Sequence, residues 1–175
     1  YAFNDLLSQD FIYQRNAIDQ WQLWRLFTGH IFHTNLAHLL LNAVAILLLW
    51  GLHGQYYHLK NYLGLTCFSA LVISGAIYFF DPNMSEYVGL SGILHAFFFW
   101  GALKDIENKD KTGYLLLLGV ILKIAHEQYF GASEDIATLI NASVAVNAHL
   151  WGAISGGCYY LFNYLTRINE IKKGN

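Results

Sequence analysis

VGLSGILHAFFFWGAL, residues 88–103, is the stretch that decides the fold. Only Ser91 and His95 interrupt its apolar character. At 1.5 Å per residue it covers about 24 Å, less than the roughly 30 Å hydrocarbon core of a bilayer. Read as a membrane span, its outer end, YVGLSG, lies below the membrane surface. Unpaired backbone at that depth is tolerated only inside protein or along a water-filled cavity. A short central helix under a wet cavity is a place for chemistry. The plainer alternative is a helix that tilts less or starts earlier.

Four more apolar runs flank it, at residues 33–52, 62–80, 112–130 and 143–165, so five spans are expected. The composition agrees: of 175 residues 55% are hydrophobic, 13% are charged and one is proline. Soluble domains carry about 25% charge, and a soluble chain of this length cannot bury so much apolar surface in one core. The fold class is therefore all-α, a polytopic helix bundle in a membrane. Residues 1–175 form one domain: an outer segment and first loop (1–32), the helices that carry the chemistry (33–165) and a cytoplasmic tail (166–175). The opening YAFNDLLSQDF reads as the end of something longer, which suggests a further span before it. A net charge of −2 gives no electrostatic case for nucleic acid. Cys67 and Cys158 lie in apolar runs and read as small buried hydrophobes.

Basic residues sort by side. Lys60, then Lys104, Lys109 and Lys111, then Arg167, Lys172 and Lys173 follow the first, third and fifth spans. The joints DPNMSE and GASEDIATLIN hold acids but no Lys or Arg. The positive-inside rule puts the first group in the cytoplasm and the second outside. Arg15 and Arg25, in the outer segment, are exceptions.

Polar side chains cluster at the outer ends of the spans. HIFHTNLAHLLLN supplies His30, His33, His38 and Asn42; GLSGILH supplies Ser91 and His95; NAHLWGAISGG supplies Asn147 and His149. Ionisable groups inside spans are costly and mark function by default. His38 and Asn42, four apart, share a helix face, whereas His33, about 140° round, is expected to face another neighbour. His149, Gly152 and Gly156 also share a face. Small residues spaced by four let helices approach closely, and Gly89 and Gly92 beside Ser91 offer the matching thin surface. Close approach there brings Ser91 and His149 within reach.

The chemistry follows from those residue types. A serine hydroxyl needs a base to become nucleophilic, and a neutral histidine can take that proton and later give it to a leaving amine. An oxyanion needs donors: the free N–H groups where a helix begins at Ser91, with side chains from His38 and Asn42. No Asp or Glu stands out at this depth to orient His149, so a dyad is expected rather than a triad. No cofactor or metal is expected. His126-Glu127 lacks the second histidine of an HExxH site, and His30 with His33 is a poor ligand set. Glu127 and Gln128 either meet substrate or cap their span in interfacial water.

These pieces, WRLFTGHIFHTNLAHLLLN, GLSG and AHLWG, resemble the rhomboid family of intramembrane serine proteases over about residues 21–165. The resemblance implies six helices, Ser91 as nucleophile, His149 as base, His38 and Asn42 at oxyanion positions, and Arg25 as a structural residue of the first loop. Many rhomboids carry tyrosine four residues after the serine, its ring stacked on the base; here His95 stands there. With EQYFGAS and VNAHLWGAISG, this is similar to the rhombosortase branch. That branch implies a bacterial inner-membrane enzyme open to the periplasm. Its partners would be lipid and exported proteins ending in a Gly-Gly segment, an apolar helix and a basic tail. A general rhomboid protease is the alternative, and a non-catalytic client-binding relative a further one, though such relatives usually lack the serine or the histidine.

Overall fold

The computed structural model describes residues 4–174, with side-chain surroundings given for residues 7–173. Helices stand at all five expected places. They are α4 (Leu36–His53), α5 (Leu59–Phe80), α6 (Ser91–Glu107), α7 (Thr112–Phe130) and α9 (Val146–Gly174). Before them lie three short helices, α1 (Asn4–Phe11), α2 (Arg15–Asp19) and α3 (Arg25–Thr28). A seven-residue helix, α8 (Glu134–Ile140), joins α7 to α9. Among the described residues the one sheet is a two-residue antiparallel pair, β1 (Tyr13–Gln14) with β2 (Glu86–Tyr87).

The bundle is apolar on the outside. Leu47, Leu48, Leu59, Phe79, Leu115 and Phe162 are all more than half exposed, while Ser69, Ser74 and Ser155 are fully buried. Water would not tolerate such a surface around the whole waist of a protein, whereas acyl chains match it. Two helices are long and apolar enough to cross a membrane by length and composition, Leu36–Tyr56 and Leu59–Phe80. A third qualifies if α7 and α8, bent by 88° at their joint, count as one broken span. The remaining helices fall outside that pattern for visible reasons: α6 has only 17 residues, and α9 spreads Gly152, Gly156, Gly157, Tyr159, Tyr160 and Asn163 among its apolar residues. The expected helix ahead of residue 1 lies outside the described residues. Cys67 and Cys158 are exposed on the apolar surface rather than buried, a correction to the sequence reading. An apolar run in a span does not tell which face meets lipid.

Helix α6 is the central post, packed by α4, α5, α7 and α9. Its Ile93, Ala96, Phe97 and Trp100 form the core with Leu65, Ile73 and Ile77 of α5 and Ala148 of α9. The tightest seam is α6 against α9. A Cβ added at Gly152 would stand 2.0 Å from the Gly92 carbonyl oxygen, and one at Gly156 would stand 2.3 Å from that of Ala96. Here backbone lies on backbone, as the small-residue spacing required.

The two exceptional arginines are consumed structurally. Arg15 donates to the carbonyls of Ile77, Tyr78 and Asp81 at 3.0, 2.8 and 2.7 Å, capping the free C-terminal end of α5. Arg25 is buried and donates to Gln9 O, Ile12 O and Gln22 Oε1, tying the first loop together. Charges spent in this way carry little topological signal.

Candidate active site

Ser91 is the first residue of α6 and His149 lies in the first turn of α9. The Gly92–Gly152 contact brings these helix starts together, and Ser91 Oγ lies 3.0 Å from His149 Nε2. Ser91 opens onto a cavity of about 600 Å³, also lined by His33, His38, Tyr87, Val88 and Ser143. Gly89 packs against the His38 ring. Its φ of +124° suits glycine alone, and a Cβ there would stand 2.9 Å from the His38 ring.

Helix α4 starts at Asn35, whose side chain accepts from the His38 N–H at 2.8 Å. The Thr34 hydroxyl donates to Ile140 O at 2.6 Å, while the Thr34 N–H donates to His38 Nδ1 at 3.4 Å. Nδ1 also lies 3.2 Å from the Thr34 hydroxyl oxygen; where it accepts from the Thr34 N–H, a neutral His38 carries its hydrogen on Nε2 as a donor. Asn42 is buried and donates to His38 O at 3.1 Å, so its amide is engaged with its own helix and is not among the cavity-lining residues. The sequence-derived pair therefore separates: His38 reaches the cavity and Asn42 does not.

His33 was expected to face a different neighbour from His38. It precedes α4, and its ring packs edge-on against His38 with centroids 4.9 Å apart. The helical-wheel reading failed because residues 32–35 are not helical. Burial holds His33 well below its ordinary pKa, at about 4, with the nearby His38 a smaller cause. His30 is buried under the first loop, its Nε2 3.0 Å from Ser74 Oγ and 3.2 Å from Ala70 O.

His95 stacks on His149, ring centroids 4.1 Å apart and planes 16° from parallel. It thus takes the place expected of a tyrosine. Its Nδ1 donates to Ser91 O at 2.7 Å.

Two groups were missed or misread. The sequence reading found no carboxylate beside His149, but Glu127 Oε2 lies 2.9 Å from His149 Nδ1. Lys123, overlooked among the span residues, lies one turn before it. Its ammonium is 2.8 Å from Glu127 Oε2, 2.6 Å from His95 Nε2 and 3.2 Å from His149 Nδ1. Two ionisable residues four apart within one apolar run were the available signal. His95, Glu127 and His149 have ligand atoms within 4.8 Å of one another, a spacing that three metal ligands also have. The Lys123 ammonium touches all three, so this cluster already has its cation. Gln128, the neighbour of Glu127, donates to Val146 O at 3.1 Å and ties α7 to α9.

A rhomboid-domain family model matches residues 20–165, which span every element from the first loop to the middle of α9. The chain belongs to the rhomboid family. No curated protein matches this rhomboid significantly. The family is one of intramembrane serine proteases, so the rhomboid is a multi-pass membrane protein of a class that acts on membrane-protein substrates.

Proposed function

We propose that this rhomboid is an intramembrane serine endopeptidase in which Ser91 is the nucleophile and His149 the base. One observation carries the reading: a serine hydroxyl 3.0 Å from an imidazole nitrogen, at the start of a helix that opens on a cavity. His149 Nε2 accepts the Ser91 proton as Oγ attacks the substrate carbonyl carbon. The oxyanion that forms meets His38 Nε2–H and the N–H groups at the start of α6, where the helix dipole also favours negative charge. His149 then gives its proton to the leaving amine nitrogen as the C–N bond breaks. Water, deprotonated by the same imidazole, releases the acyl group from Ser91.

Charge sorting supports five crossing helices with the cavity on the outer side, which in a bacterial inner membrane is the periplasm. The substrate class we favour is an exported protein carrying a C-terminal Gly-Gly segment, an apolar helix and a basic tail. His95 stacked on the base supports that branch. Glycines suit the site physically, because an extended segment without side chains reaches a recessed serine with least obstruction.

Co-expression with such a tailed protein tests the reading. The mass of the released product should locate a cut beside the glycines, and Ser91→Ala should leave the tail attached. Cleavage by Ser91→Ala would refute the nucleophile. Equal cleavage after the glycine pair is replaced by bulky residues would favour a general rhomboid protease.

A further inference from the structure

The base His149 is gripped from more than one side, and that grip involves residues outside the serine–histidine pair. A neutral imidazole carries one N–H. To accept the Ser91 proton, Nε2 must be bare, so the hydrogen must sit on Nδ1. Nδ1 is 2.9 Å from Glu127 Oε2, and Nε2 is 3.0 Å from Ser91 Oγ. A carboxylate can only accept, so it favours the tautomer with hydrogen on Nδ1. The opposite tautomer would set a lone pair against the carboxylate and an N–H against the serine hydroxyl.

The carboxylate is itself held. Lys123 precedes Glu127 by one turn of α7 and donates to Oε2 at 2.8 Å. Its second contact, 2.6 Å to His95 Nε2, is a consistent one. His95 Nδ1 donates to Ser91 O, so His95 Nε2 is the bare nitrogen and accepts from the ammonium. The same His95 ring covers the face of His149. His149 is thus held at its Nδ1 edge by Glu127 and on one face by His95, and Lys123 joins the two holders. The 3.2 Å approach of Lys123 to His149 Nδ1 is a contact of position, since both nitrogens carry hydrogen.

From this geometry we infer that Glu127 is a positioning residue for His149, fixing the tautomer and ring plane of the base, with Lys123 as the brace that holds the carboxylate in place. The inference rests on the reading of Ser91 and His149 as nucleophile and base. Glu127 touches neither Ser91 nor the scissile bond, so its whole effect passes through His149. A carboxylate in this place also stabilises the imidazolium that forms during attack.

The experiment uses the purified full chain in detergent. One readout is the rate of labelling of Ser91 by a fluorophosphonate, another is kcat and KM on the Gly-Gly-tailed protein, and a third is thermal stability. Glu127→Gln should slow labelling and lower kcat by on the order of 10²-fold with KM unchanged, at the low end of what a positioned acid–base group contributes. Glu127→Asp should recover part of that loss. The double variant Lys123→Met with Glu127→Gln removes both charges. It should melt near the wild-type temperature yet label as slowly as Glu127→Gln. A wild-type labelling rate for Glu127→Gln overturns the inference. So does recovery of labelling together with stability in the double variant, since the pair would then be a structural ion pair only. Ser91→Ala separates the two levels. If labelling survives Ser91→Ala, the nucleophile reading itself falls; if Ser91→Ala is silent while Glu127→Gln keeps the full rate, only the role of Glu127 falls.

Discussion

Gly152→Ala should weaken catalysis and stability together, through a single added carbon. The added Cβ would lie 2.0 Å from the Gly92 carbonyl oxygen, 2.8 Å from its carbon and 3.3 Å from its Cα, whereas ordinary contact begins near 3.4 Å. All three atoms are backbone of α6, so no side chain can swing away. The helices must part by about 1 Å, within the range of overpacking that costs about 1–3 kcal/mol. For a chain of this size each kcal/mol lowers the melting temperature by about 2–4 °C. The same movement acts on Ser91, the residue next to Gly92. Its 3.0 Å contact with His149 would stretch toward 4 Å and cease to be a hydrogen bond. A misplacement of about 1 Å costs on the order of 10²-fold in rate. The assay pairs fluorophosphonate labelling with thermal unfolding in detergent. Gly119→Ala on α7 is the control, because a Cβ there meets nothing within 4 Å. In that helix interior alanine should be neutral or stabilising by up to about 1 kcal/mol. Wild-type labelling and melting in Gly152→Ala would refute the idea that backbone contact between α6 and α9 sets the distance between Ser91 and His149.

Gly89→Ala should slow labelling and destabilise by about 1–3 kcal/mol, because alanine resists a φ of +124° and its Cβ would push the His38 ring; melting with labelling checks both. Asp105→Ala removes the partner of fully buried His53, 3.2 Å away, and should cost about 1–3 kcal/mol in melting. Labelling at a temperature where it stays folded should be unchanged, since Asp105 lies fourteen residues along α6 from Ser91, about 21 Å. Burial holds the His30 pKa down to about 4. Unfolded chain takes up that proton near pH 6.5 while folded chain refuses it until about pH 4. Stability from this residue is therefore complete above pH 6.5 and falls as pH drops through the window, by about 3 kcal/mol in all. His30→Gln should flatten that slope in pH-dependent melting. Gly152→Ala combined with Glu127→Gln should lose less than the product of the two single losses in labelling rate, because both act on one contact; strict multiplicativity would count against a shared path.

The helices and the meeting of Ser91 with His149 were legible in sequence because both depend on local pattern. Apolar runs marked the helices, and the spacing of Gly152 and Gly156 marked a face that only another backbone could fill. What stayed hidden depends on rotation and on partners distant in sequence. The side of α7 that carries Glu127 inward is set by packing of Val120 and Ile124 against Ala153, and no periodicity in so apolar a run reveals it. Arg15 was legible as a charge on the wrong side, but its three carbonyl partners lie more than sixty residues away. His33 was misplaced because the helix begins at Leu36, after the Asn35 cap, so a wheel drawn from residue 33 starts too early. Asn42 shows a further limit: sharing a face with His38 did not give it a share of the cavity.

Two seams of different hardness fix the geometry of the base. Against α6, α9 is held by backbone atoms at Gly152 and Gly156, contacts that rise steeply in energy and leave distance no slack. Against α7, it is held by side chains, Leu150 and Ala153 among Val120, Ile124 and Leu117, beside an apolar groove. Such a seam can yield by rotamer changes, and it alone would orient an imidazole poorly. The polar chain of Lys123, Glu127 and His149 crosses that softer seam. Charged groups at such depth are costly unless paired, and here each has a partner of opposite charge or a ring nitrogen. The backbone seam therefore sets how far Ser91 stands from His149, and the charged chain sets which way the imidazole points. A chain that relied on the glycine seam alone would have the distance without the direction.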